Sequence, residues 1–407
     1  MPTHNTTKSS SPPVYIDVQS SCDYYTNNDL VYSFVRVHPT ERPNGVKIAI
    51  RGRCKLKVRT DSAKRNSRST FGLFSYEGVL FSASQLGASY GIVDYGIASD
   101  GRVELPFEFA FPNEVQMPPD SLYEESIGFE NQKGHPLPIS LGFAVGHGTK
   151  TDEYRVEYFL EALVYKEGTW EPDDVIRLMP PFQPTDYKKP SDLAVARPRS
   201  SEFCIRSHKM DPRNDPNPNA LTKLKWSTRS KYKHAVPEAR WNIIAHCPYR
   251  LAAGTSIPIF FSFYHLGRSP EITTLPIVYV RQIRVKLTLI LTVRVPYQGF
   301  SGDRDMMDSS AMDILNEVFT AQNTTMRHGL QLEELGELEL PPDTLPSFKF
   351  YGLRLAFRIK VGVDGECAQE KFSVTVLRGE CKVVCGVRRS SATAASSVDV
   401  LASAHTH

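Results

Sequence analysis

Apolar and polar residues alternate along most of this chain. From Val46 to Val58 one line reads Val46, Ile48, Ile50, Gly52, Cys54, Leu56 and Val58. The opposite line reads Lys47, Ala49, Arg51, Arg53, Lys55 and Lys57. Successive side chains of a strand point to opposite faces, so this period of two predicts a strand with one buried face and one basic face. The same period runs through 103–111, 154–164, 283–295 and 353–363; in the third of these the polar line carries Arg284, Lys286 and Arg294. Shorter strands are expected at 14–18, 30–37, 71–81, 139–145, 241–246, 257–265 and 372–377. Turn residues such as Asn27-Asn28, Pro43-Asn44-Gly45 and Asp364-Gly365 separate most of them. Many strands with polar outer faces, falling in two halves, argue for an all-β protein of antiparallel β-sandwiches.

Boundaries follow from where the alternation stops. A first sandwich is expected over 12–180, a Pro-containing linker over 181–202 and a second sandwich over 203–385. The tail 386–407 has little to bury and is expected to be disordered. One insertion, 297–346, breaks the pattern. Within it Ile314, Leu315, Val318 and Phe319 fall at helical spacing, which predicts a short amphipathic helix over 312–319.

Charge changes this picture. The 48 Lys and Arg against 45 Asp and Glu give a formal +3, which excludes a uniformly basic nucleic-acid binder. That sum conceals segregation. From 46 to 68 nine basic residues, including Arg59, Lys64, Arg65 and Arg68, meet only Asp61. From 197 to 233 ten basic residues meet three acidic ones, and from 301 to 345 ten acidic residues meet two basic ones. Basic residues at every second position of one strand lie about 6–7 Å apart and repel, so an acidic neighbour is expected. Its source could be an acidic or phosphorylated peptide, anionic lipid head groups, or the acidic 301–345 segment folding back; a plain solvated face is the alternative. Nucleic acid fits less well, since no aromatic stacking platform accompanies the charges.

Candidate chemistry is sparse. Gly142 to Lys150 is rich in glycine, but lacks the Gly-Lys-Ser/Thr order of a phosphate loop and reads as a hairpin turn. Cys367, Cys381 and Cys385 do not have zinc-ribbon spacing, and no metal or cofactor is expected. His246-Cys247 point to opposite strand faces, which spoils a nucleophile–base pair. A non-enzyme is therefore expected. No stretch of 18 apolar residues occurs and the start is polar, so neither a membrane span nor a secretory leader is read here. Pro12-Pro13-Val14-Tyr15 has the form of a Pro-Pro-x-Tyr ligand for WW domains, although Val14 and Tyr15 also open a predicted strand.

Several segments together resemble the arrestin family, closest to its α-arrestin branch. They are Val14–Val18, Leu30–Val37, Val46–Arg59 with Gly52 in the middle, Leu105–Pro112 followed by Pro118-Pro119-Asp120-Ser121, and Tyr154–Ala162. A weaker likeness to the arrestin C-terminal domain runs through 203–385. The resemblance implies two antiparallel, immunoglobulin-like, arrestin-type β-sandwiches joined by a short hinge, in a cytosolic adaptor that, transiently at the plasma membrane or endosomes, binds membrane-protein cargo tails. It also implies recruitment of a HECT-type ubiquitin ligase through Pro-Pro-x-Tyr motifs, of which only Pro12, Pro13 and Tyr15 are present. The candidate cargo-binding residues are Lys47, Arg51, Arg53, Lys55, Lys57 and Arg59. Rival readings are a retromer-type sorting-coat subunit and a β-sandwich enzyme or carbohydrate-binding module.

Overall fold

The alternating segments fold as strands, and the described chain is almost wholly β. The computed structural model describes residues 12–18, 24–41, 43–59, 66–83, 95–119, 126, 128–147, 150–166, 169, 171–184, 200–211, 236–299 and 302–385. Most of the basic 197–233 stretch, most of the expected linker, the 60–65 loop with Lys64 and Arg65, and the tail from 386 lie outside the described residues.

Two compact units can be distinguished. The first comprises 1–186 with 291–310 and 348–355; the second comprises 187–290, 311–347 and 356–407. In the first unit β1 (Val14–Val18), β2 (Leu30–Val37) and β5 (Val103–Ala110) form one sheet in the order β1-β2-β5. A second sheet has the order β4-β3-β7-β6, from β3 (Gly45–Arg59), β4 (Asn66–Ser82), β6 (Leu141–His147) and β7 (Lys150–Tyr165). The strand β8 (Asp174–Leu178) pairs with the far part of β7. Their apolar lines form the core: Val31, Val35, Leu105, Ile48, Ile50, Cys54, Leu160 and Ala162 are buried. Each fully buried Val, Leu or Ile among them contributes about 1.5–3 kcal/mol.

Gly52 is the one gap in the apolar line of β3. A Cβ there would lie 2.9 Å from the Phe74 ring and 3.0 Å from Tyr158. Glycine thus makes room for those two rings, which stack with centroids 6.0 Å apart. Phe111, just after β5, packs edge-on to both of them and links the two sheets.

In the second unit β9 (Ser200–Arg206), β10 (Glu238–His246), β12 (Phe260–Arg268) and β15 (Leu330–Gln331) form a sheet in the order β15-β12-β10-β9. The fourth sheet, not confined to the second unit, has the order β11-β18-β17-β13-β14, from β11 (Arg250–Ala252), β13 (Val278–Gly299), β14 (Gly302–Thr325), β17 (Leu353–Cys367) and β18 (Glu370–Val384). Here β16 (Phe348–Lys349) pairs with β17. Along β17 burial alternates strictly, with odd residues such as Phe357, Ile359 and Val361 inside.

The helix expected over 312–319 is a correction to the sequence reading: those residues belong to the long strand β14, hydrogen-bonded beside β13. No single helical stripe is buried there. Leu315 is buried, while Met312 and Val318 are exposed. A long neighbouring strand outweighs a weak local preference. Short 3-10 turns lie at Pro39–Glu41, His208–Met210 and Leu332–Glu334. Gly142–His147 belong to β6 and Lys150 opens β7, with His147 opposite Lys150, as a hairpin requires.

A second correction concerns Arg294. It lies on the polar line of β13, as read, yet it is 1% exposed. Its Nε and Nη2 donate to the Tyr351 carbonyl at 3.2 and 2.9 Å, and its guanidinium lies 4.8 Å from the Phe129 ring centre. Next to it His135 packs against Phe350 and Tyr351, with Nδ1 on the Gln132 carbonyl and Nε2 buried without a partner. Burial holds the His135 pKa below its ordinary value of 6.5, although the Gln132 carbonyl, Glu130 and Glu114 pull the other way. A depressed histidine stabilises the fold above the unfolded pKa and loses that contribution as pH falls below 6.5 toward the folded value. Stability measured in urea should therefore fall between pH 7 and pH 5, and His135→Phe should flatten part of that slope. An unchanged slope would show that His135 does not titrate on unfolding.

Candidate anion-binding face

The cationic line of β3 lies between β4 and β7, and those neighbours supply carboxylates. Glu77 of β4 stands 3.4 Å from Lys47 and 3.5 Å from Arg51. Glu161 of β7, only 4% exposed, takes Arg51 at 3.1 Å and Arg177 of β8 at 2.5 Å. Glu157 of β7 takes Arg53 at 2.8 Å and Lys55 at 3.2 Å. Glu153 is 3.8 Å from Lys57. The acidic neighbour that the strand requires is thus built into its own sheet. The 301–345 segment instead uses its described pairs locally: Asp313 with Lys286, and Glu334 with Arg327.

The pairing is uneven along the strand. Arg51 and Arg53 are held tightest, and Arg53 also lies 4.4 Å over the Phe159 ring, with Arg177 5.8 Å from the same ring centre. Burial pushes the Glu157 carboxyl up, but hydrogen bonds from Arg53 and Lys55 outweigh it and hold its pKa below 4.5. At the opposite end the register sets Lys55 directly across from Arg155, and Lys57 directly across from Arg68. Arg68 and Arg155 are exposed and have no ion-pair partner among the described residues. Like charges in directly opposed strand positions are destabilising. Among the described side chains of β3, β4, β7 and β8, the outward cations named here outnumber the four glutamates by four. Three of those four sit toward the Lys55–Lys57 end, where Arg53, Lys55, Lys57, Arg68 and Arg155 share Glu153 and Glu157.

Of the six candidate residues, five are therefore already engaged with glutamates. Arg59 ends β3, and its side chain is outside the described set. Sequence reasoning missed Arg68 and Arg155 as members of the site. The signal was present in the polar line Glu153, Arg155, Glu157, Phe159 and Glu161 of β7, but only the register places it.

The Pro-Pro-x-Tyr segment is used internally. Tyr15 is in β1, opposite Arg36. Its ring has the Arg102 guanidinium at 4.8 Å and that of Arg36 at 6.0 Å. Its hydroxyl accepts from Arg36 and donates to Asp100, both at 3.3 Å. Arg102 Nη1 donates to the carbonyls of Pro12 and Pro13. A WW domain reads the open tyrosine ring on a polyproline II turn; as folded, this segment does not present one.

Among the described residues no group of three or more His, Cys, Asp or Glu could hold a metal ion, and no helix is long and apolar enough to cross a membrane. Compared with known proteins, the chain matches no protein-family model and no curated protein.

Proposed function

We propose that this protein is a non-enzymatic adaptor built on two arrestin-type β-sandwiches, and that the Lys55–Lys57 end of the β3 face binds acidic or phosphorylated segments of membrane-protein cargo. One observation carries the reading: two like-charge pairs, Lys55–Arg155 and Lys57–Arg68, stand directly opposed on an outer sheet face, and Arg68 and Arg155 have no carboxylate partner among the described residues. An incoming carboxylate or phosphate relieves that repulsion and accepts charge-assisted hydrogen bonds from donors fixed on a rigid sheet. The resemblance to arrestins supports the cargo class. Ligase recruitment is not part of the proposal, because the Pro12–Tyr15 segment is enclosed by Arg36 and Arg102.

The test is the double reversal Arg68→Glu and Arg155→Glu. Both side chains are exposed, and each new glutamate would face a lysine, so stability should stay within about 0.5 kcal/mol of wild type. Affinity for a phosphorylated acidic peptide, read by fluorescence anisotropy at low salt, should fall about tenfold or more. Unchanged affinity would remove this end of the face from the site.

A further inference from the structure

The second unit carries a cationic face of its own, on strands whose charges the linear sequence does not group. Even-numbered residues of β17 point outward, and the register opposes Lys360 to Arg378 and Arg358 to Glu380 on β18. On the far side of β18 the parallel strand β11 sets Arg250 opposite Lys382. Five cations thus share one outer face with one carboxylate, Glu380. Arg358, Lys360 and Arg378 are exposed and have no ion-pair partner among the described residues. Arg250 has a buried Nη1 with no hydrogen-bond acceptor. The opposed pair Lys360–Arg378 and the unmet Arg250 donor are costly to leave bare.

The borders of the patch say what fits it. Further along β17 the same face turns to Asp364 and Glu366, which are paired with Arg284 and Arg281. The cations therefore form a cluster a few strand positions long and about three strands wide, with carboxylates along that end. A planar anionic membrane pressed on this face would also meet those carboxylates and Glu380. A single extended acidic chain can follow the cations and avoid them. Alternate strand positions are about 6.6 Å apart, close to the repeat of alternate side chains on an extended peptide.

We infer that the β11–β18–β17 face is a second binding site, for an acidic extended peptide whose carboxylates or phosphates meet Arg358, Lys360 and Arg378. It is independent of the β3 face: each stands on its own residues and each can fail alone.

The experiment uses the full chain and a fluorescein-labelled peptide of eight glutamates, titrated by anisotropy and isothermal calorimetry at low salt. Wild type should bind two peptides. The variant Arg358→Gln/Arg378→Glu should bind one, with affinity at the lost site down about tenfold or more. Arg68→Glu/Arg155→Glu should remove the other peptide, and the four changes together should remove both. As a second measurement, Glu380→Gln should tighten the same site about threefold, by removing its one carboxylate. Thermal melts of each variant verify folding. One peptide per wild-type chain, with Arg358→Gln/Arg378→Glu indistinguishable from wild type, would overturn the inference. So would loss of binding to phosphatidylserine vesicles in that variant with peptide binding intact, which would assign the face to a membrane. Loss of one peptide in this variant while Arg68→Glu/Arg155→Glu binds normally would uphold this inference and discard the β3 reading.

Discussion

Arg294→Ala is expected to cost about 3–5 kcal/mol of stability in urea denaturation at 25 °C. Three losses add. The Tyr351 carbonyl loses both guanidinium donors in a buried place, the Phe129 ring loses the cation stacked on it, and a large fully buried side chain leaves a cavity. Graded replacements separate these contributions. Arg294→Met refills most of the volume and removes a buried charge, so its cost should drop to about 1–2 kcal/mol, chiefly the orphaned carbonyl. Arg294→Lys keeps the charge but cannot place two planar N–H groups on one oxygen while lying flat on a ring, and should fall between the other two. The surroundings give little slack. At Gly352 an added Cβ would sit 2.7 Å from the Arg294 carbonyl oxygen and 2.6 Å from Leu56, so the chain beside the guanidinium is already at contact distance. If Arg294→Ala unfolded within about 0.5 kcal/mol of wild type, the side chain would have to be solvated.

Arg294 also marks a limit of reading sequence. The period of two placed it on the outward face of β13, and that is where it points. What covers that face is the 129–135 segment and Tyr351, which reach it from distant parts of the chain, and no local pattern predicts that. Periodicity did reveal the strands: β3, β7, β13 and β17 run as the apolar lines at 46–58, 154–164, 283–295 and 353–363 require. It failed at 312–319, where apolar residues happened to fit a helical stripe in a segment that pairs as β14.

The charges show the same division. Summing charge over contiguous stretches found the basic 46–68 run, but looked for its counterpart in another contiguous stretch, 301–345. Glu153, Glu157 and Glu161 are interleaved with apolar residues and one arginine, so no window sum singles them out. Cross-strand register makes them the partners. Arg358, Lys360 and Arg378 escaped for the same reason: they are spread over two strands with Asp364, Glu366 and Glu370 between them in sequence, and only pairing gathers them.

If the β3 face binds anions, its own glutamates are competitors, and Glu157→Gln should bind an acidic peptide more tightly than wild type. Glu157 holds Arg53 and Lys55 with one carboxylate that is largely buried. Neutralising it removes a negative charge about 7 Å from an anion seated near Lys55, worth about 0.5–1 kcal/mol at high effective dielectric, or roughly a three- to fivefold gain. Release of the Lys55 ammonium toward the ligand adds to this, so a gain of about fivefold to tenfold is expected at low salt. It should shrink as the Debye length falls below about 10 Å above 0.1 M. Stability should fall by only about 1–2 kcal/mol, since the amide oxygen still accepts from Arg53 Nε. The pH dependence follows the same carboxylate. Because its folded pKa lies below 4.5, Glu157 stabilises the fold above the unfolded value and loses that contribution as pH falls through the folded one. Glu157→Gln should therefore lessen acid destabilisation below pH 4.5. Weaker binding by Glu157→Gln, with folding intact, would mean that the glutamate positions the cations for the ligand and does not compete with it.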